Sequence, residues 1–252
     1  MSAKQVFTIT FSESVENHKG MEILGQKAER GFSDELLEQL AAKYDGEIIV
    51  LNDENADVQD PASVCIFRNG LQKIFGINPS ELFAEQDSLA KDSKCLMYGR
   101  VVNKKARHNL CFDTFDQSPE YEVGKGTVVS FDSQPLLKRC RIELGDLFGP
   151  EFQDLKAEGN YYYDVKKCYI GFHGDTERSK VVGIRLSSED NVNFPLYYQW
   201  YHKSKPQGEL MSLDLYGGDI YIMSEKAVGN DWKKKNTWTL RHAAGELKSI
   251  KK

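Results

Sequence analysis

Cysteine and tryptophan are scarce in this chain of 252 residues, and long apolar runs are missing altogether. Each shortage removes a class of protein. The five cysteines (Cys65, Cys95, Cys111, Cys140, Cys168) are odd in number, scattered and without a C-x-x-C pair, which argues against a disulfide framework and against a thiolate zinc site. No stretch reaches the roughly 18 uncharged apolar residues that a spanning helix needs. The opening MSAKQVFTITFSES has no apolar segment behind a basic start, so no signal peptide and no membrane partner are expected, and the protein is expected to be intracellular, cytoplasmic or nuclear. A surplus of positive charge is missing too. Lys and Arg number 33 against 38 Asp and Glu, a formal net charge of -5, which excludes a generally basic surface that coats nucleic acid but leaves room for a local basic groove.

What is present is a globular composition, 40% hydrophobic and 28% charged, sufficient for a real core and unlike a disordered chain. The pattern predicts an α+β protein in two parts, with a boundary near residue 92. Residues 1–92 read as a small α/β module of unassigned role. It has a strand at 6–11, a helix opening at Ser33 with Asp34 and Glu35 in its first turn, a stop at Lys43-Tyr44-Asp45-Gly46, and a strand at 47–51. The polar stretch near 79–94 reads as an exposed helix or a linker. From about residue 96 the texture changes to apolar runs of five to eight residues punctuated by Gly, Pro, Asn and Asp, among them KKCYIGFH, KVVGIRLS, PLYYQWYH, GDIYIMS and NTWTLRHA. Many short strands at such spacing predict an all-β sandwich or closed barrel over 93–252, and Gly217-Gly218 between two alternating runs predicts a hairpin.

The chemistry concentrates at His173-Gly174-Asp175, directly after the strand pattern KKCYIGF. Two side chains two positions apart on an extended segment project from one face, so an imidazole and a carboxylate there can take two corners of one metal. A second histidine, His242, ends the late strand NTWTLRH. Two histidines and a carboxylate with open positions form the ligand set of non-haem Fe(II) oxygenases.

In these residues the chain resembles a family. The segment NYYYDVKKCYIGFHGDTERSKVVGIRL is similar to the N-x-Y…I-G-x-H-x-D-x-E stretch of AlkB-like 2-oxoglutarate- and Fe(II)-dependent dioxygenases, and GGDIYIM resembles their Gly-Asp-apolar strand before the distal histidine. The resemblance covers about residues 96–252. It implies a double-stranded β-helix, or jelly-roll, oxygenase core with Fe(II) held by His173, Asp175 and His242. It implies 2-oxoglutarate touched by Asn160 and Tyr162, with Tyr161 or Tyr163 as substitutes, and O2 as second co-substrate.

The chain departs from the family in having no arginine after His242 to pair with the far carboxylate of 2-oxoglutarate. Three replacements are open. Arg185 alternates with Val182, Ile184 and Leu186, shares a face with Val181 and Gly183, and so can point into the barrel. Lys248 or Lys252 can serve as a point charge. The third inverts the assignment: Arg241 becomes the anchor and the distal iron position is left empty or filled by His202. On a regular strand Arg241 and His242 cannot both face one pocket.

Lys104, Lys105, Arg107 and His108, in the segment 98–112 where AlkB-like proteins carry a lid over the site, together with Trp232 beside Lys233-Lys234-Lys235, form basic and aromatic clusters suited to phosphate contacts and base stacking. The expected function is therefore oxidation of a methyl or other C–H group on a DNA or RNA base. Hydroxylation of a protein side chain or small metabolite, and a metal-free jelly-roll binding module, are the alternatives.

Overall fold

The computed structural model describes residues 3–52 and 61–250. The chain is a mixed α+β protein dominated by β-sheet. In chain order the strands are β1 (Val6–Ser12), β2 (Ser14–Glu16), β3 (Ile23–Gly25), β4 (Glu47–Val50), β5 (Ser63–Phe67), β6 (Lys94–Met97), β7 (Arg100–Asn103) and β8 (His108–Asp113). They continue with β9 (Val128–Ser130), β10 (Lys156–Tyr162), β11 (Tyr169–His173), β12 (Val181–Ser187), β13 (Leu196–His202), β14 (Lys205–Leu213), β15 (Ile220–Met223) and β16 (Thr239–Gly245). An eight-stranded sheet has the order β4-β5-β15-β12-β1-β10-β8-β9, and a four-stranded sheet has the order β11-β16-β13-β14.

The longer helices cover one face of the large sheet. The first, α1 (Asp34–Tyr44), starts where the sequence predicts, because Ser33 Oγ accepts a hydrogen bond from Leu36 N at 3.2 Å and Asp34 and Glu35 complement the first turn. It ends at Asp45, whose φ of 54° turns the chain out of the helix. Leu37 and Leu40 on α1 pack with Phe7, Ile9 and Phe11 of β1 and Val182, Ile184 and Leu186 of β12 in one apolar cluster. Full burial of such a side chain contributes roughly 1.5–3 kcal/mol. The stretch near 79–94 does hold a helix over Pro79–Asp87, capped by Asn78 and half sunk through the buried Leu82 and Gln86.

The alternate residues of the same strands face the small sheet. Val6, Tyr162, Val181, Tyr221 and Met223 join Leu196, Tyr198, Trp200, Leu240 and Ala244 in a second core. The molecule is thus layered as helices, large sheet and small sheet.

The large sheet crosses the boundary expected near residue 92. β1 lies at its centre, antiparallel to both β10 and β12, and β5 is paired to β15. The expected hairpin at Gly217-Gly218 is not formed. β14 belongs to the small sheet and β15 to the large one, so the glycine pair carries a crossover between layers. Gly218 has a φ of +95° there, and a Cβ would lie 2.6 Å from Asn69 Oδ1. No helix among the described residues is long and apolar enough to cross a membrane.

Candidate metal centre and its cavity

Strand register builds the floor of a cavity between the two sheets. Asn109, Asn160, Thr8 and Arg185 are successive partners across β8, β10, β1 and β12, and Glu158, Thr10, Gly183 and Tyr221 are the partners across β10, β1, β12 and β15 in a second row. Gly183 is where a side chain must be absent: a Cβ there would lie 2.0 Å from Tyr221 Cζ, so the glycine makes room for the tyrosine ring. The cavity measures about 180 Å3.

His173, Asp175 and His242 line this cavity and lie with their ligand atoms within 4.8 Å of one another. The two histidines are register partners on β11 and β16, and Asp175 follows on the loop after β11. His173 Nδ1 lies 2.8 Å from the Gly171 carbonyl and 3.1 Å from that of His242. A carbonyl can only accept, so Nδ1 carries a proton, and in the neutral ring Nε2 is the nitrogen free to ligate. That Nε2 is 3.5 Å from Asp175 Oδ1, and His242 Nε2 is 3.9 Å from the same oxygen.

Electrostatics keep His242 and Asp175 in their ligating forms. Burial, reinforced by the neighbouring His173, pushes the His242 pKa down to about 3, so its ring is neutral at physiological pH. Burial would raise the Asp175 carboxyl, but Arg178 and the two histidines outweigh it and hold the group well below the ordinary carboxylate range.

Arg185 reaches the cavity from the opposite side. Its side chain is fully buried, Nη1 donates to Thr8 Oγ1, and Nε and Nη2 have no hydrogen-bond partner among the described residues. A buried guanidinium with free donors is costly unless a ligand meets it. Asn160 and Tyr162 face the same space, as their shared parity with Glu158 requires. Tyr161 faces the helices, stacked 4.6 Å from Phe7, and Tyr163 packs 4.9 Å from His108, so neither replaces Tyr162.

The other basic residues considered as anchors lie elsewhere. Arg241 points away from His242 as strand alternation demands, with its guanidinium 3.9 Å from the Tyr201 ring centroid. His202 stacks on Trp238 at 5.1 Å, which leaves the inverted assignment without its second histidine. Lys248 pairs with Glu246 at 2.9 Å, and Lys252 is outside the described residues.

Of the basic cluster, Arg107 lines the cavity and donates through Nε to Asn160 Oδ1 at 2.6 Å. Trp232 lines it as well, with Lys19 Nζ 5.0 Å from its ring centroid. Lys104 is no exposed edge: its ammonium turns inward to Asn17 Oδ1 at 2.6 Å and Asn109 Oδ1 at 3.0 Å, and burial lowers its pKa to about 8. His108 lies against Tyr163, and Lys105 is exposed and contributes its carbonyl to the Tyr163 hydroxyl.

In the sequence Glu16, His18 and Lys19 read as surface residues without a partner, yet they reach the cavity from the β2–β3 hairpin, and Thr8 and Thr10 on β1, Glu158 on β10 and Arg178 on the loop carry no motif that singles them out. The hairpin carries no motif. The polar alternation in VFTITFS and KAEGNYY is the signal that could have found the others, since polar residues at period two on central strands mark a wet face.

No protein-family model matches the sequence. The chain is 46% identical over 257 residues to "Uncharacterized protein R156" of Acanthamoeba polyphaga mimivirus, an alignment that spans 98% of each protein.

Proposed function

The chain belongs to one family with that viral protein, and we propose that it is an Fe(II)/2-oxoglutarate-dependent dioxygenase of AlkB-like type, built on a jelly-roll core. The observation that supports this most is one cavity that joins a His-Asp-His face to an unpartnered buried arginine. The donor set fits divalent iron: two imidazoles and one carboxylate, converging from two strands and a loop. The other wall fits a dicarboxylate, because Arg185, which lines the cavity with Tyr162 and Tyr221, offers free donors.

Bound there, Fe(II) with 2-oxoglutarate and O2 would supply oxidation of a C–H bond coupled to conversion of the co-substrate to succinate and CO2. The chain's own residues position and shield. His173, Asp175 and His242 would hold the metal, and Arg185, steadied by Thr8, would fix the far carboxylate. The two sheets would shield the space between them from much of the bulk water.

The substrate reading is a methyl or other C–H group on a nucleic-acid base. Arg107 and Lys19 support it, because both face the cavity and neither forms an ion pair among the described residues, and Trp232 adds an aromatic surface. Hydroxylation of a protein side chain or small metabolite is the second reading, favoured by the inward turn of Lys104, which removes one cation from the rim.

Succinate release from 2-oxoglutarate under air, with Fe(II) supplied, tests the activity: wild type should turn over and Arg185→Ala should lose most of it. Wild type that binds iron yet never consumes 2-oxoglutarate would contradict the assignment. Oligonucleotide affinity separates the substrates. A nucleic-acid enzyme should bind methylated oligonucleotide with affinity that falls steeply as salt rises, and a metabolite enzyme should scarcely bind it.

A further inference from the structure

Arg178 sits three residues after Asp175, with 4% of its surface exposed, inside a run of polar groups that crosses the large sheet. Its Nε lies 3.5 Å from Asp175 Oδ2 and 2.9 Å from Glu177 Oε1; its Nη2 lies 2.8 Å from Glu158 Oε2 and 2.7 Å from Glu177 Oε1. Glu158 is itself buried and accepts from Asn109 Nδ2 at 3.0 Å through its other oxygen. Asn109 Nδ2 also donates to Asn160 Oδ1 at 2.8 Å, and Asn109 Oδ1 accepts from Lys104. The guanidinium is thus clamped between a loop and a central strand, and its planar fork has no rotational slack.

The two oxygens of Asp175 are divided by this arrangement. Oδ1 faces both imidazole Nε2 atoms, while Oδ2 faces Arg178. A carboxylate whose second oxygen is held by a fixed cation offers one oxygen to a metal and cannot swing to chelate with both. Partners in this outer position typically change metal affinity by about 10- to 100-fold when removed.

We propose that Arg178, anchored by Glu158, is the positioning residue that holds Asp175 as a one-oxygen ligand and keeps the remaining metal positions open. This rests on the metal-centre reading above. The arrangement also accounts for the burial of Glu158, which has no other cationic partner than Arg178 within 4 Å among the described residues.

The test is Mn(II) binding to the full-length chain, followed by the electron paramagnetic resonance signal of free Mn(II), a readout that needs no turnover. Arg178→Met should weaken Mn(II) binding by roughly 10- to 100-fold, and Arg178→Lys should recover part of that loss. Because Arg178→Met leaves Glu158, Glu177 and Asp175 without their shared cation, the charge-balanced double variant Arg178→Met/Glu158→Gln is measured beside it and should show the same weakening in a folded protein. Wild type that binds Mn(II) together with a folded double variant that binds within about threefold of it would overturn this inference alone. Wild type that takes up no Mn(II) would overturn the metal-centre reading and this inference with it.

Discussion

The two faces of the large sheet are made by the same strands and behave oppositely. Toward the helices, β1 presents Phe7, Ile9 and Phe11 and β12 presents Val182, Ile184 and Leu186, an apolar layer with its polar backbone spent in the ladder. Toward the small sheet the intervening positions are Thr8, Thr10, Gly183 and Arg185, and β10 adds Glu158 and Asn160. Every residue of β1 is buried, so burial does not separate the faces; polarity does. One face is apolar along these strands, and the other shares its apolar core with charged groups held where a ligand can reach them, at some cost in stability.

Substitutions should separate the two faces by sign as well as size. The largest effect is expected on the helix side: Phe11→Ala should cost about 3–5 kcal/mol in urea unfolding, since a large buried ring leaves a cavity among close-packed neighbours. It would also show that the first strand belongs to the core. A loss below about 1 kcal/mol would break the comparison. On the cavity side the sign reverses. Arg185→Met removes a buried, incompletely partnered charge and should raise the stability of the ligand-free protein by about 1–3 kcal/mol, while abolishing the thermal stabilisation by 2-oxoglutarate, about 2.7 kcal/mol at a hundredfold excess over Kd in a responsive protein. Equal stabilisation of both proteins by 2-oxoglutarate would remove Arg185 from the site.

The smallest effect concerns the rim. Burial lifts the Glu16 carboxyl from 4.5 to about 7, offset in part by the Gly20 N–H. Because its folded pKa is raised, its contribution to stability is fully present below about 4.5 and is lost as pH rises through about 7. Between pH 5 and pH 8 wild type should therefore lose about 1 kcal/mol more than Glu16→Gln, a figure discounted for the solvent that reaches the cavity mouth. Parallel stability curves for the two proteins would show that Glu16 is not buried in charged form.

Much of this was legible in the sequence because it depended on local rules. Ser33 and Asp45 mark the ends of the first helix through capping alone, and the parity of VVGIRL placed Arg185 on the face away from Ile184. The His-x-Asp pair and the opposed faces of Arg241 and His242 followed from strand periodicity in the same way. What was not legible depended on which strands meet. Nothing in VFTITFS says that it lies between β10 and β12, so its threonines could not be connected to Arg185. The Gly217-Gly218 pair has the chemistry of a tight turn, but a crossover between sheets requires the same freedom. Lys104 reads as a solvated charge until Asn17 and Asn109, 87 and 5 residues away, are seen to draw it inward.

The central claim, that His173, Asp175 and His242 form an iron site sharing its cavity with 2-oxoglutarate, is tested most directly by anaerobic titration of the purified protein with Fe(II) and 2-oxoglutarate, following the weak visible charge-transfer absorption. A band that appears in wild type and disappears in both His173→Ala and His242→Ala is the predicted result. A band that survives His242→Ala, or wild type that shows none with iron in excess, would contradict the account.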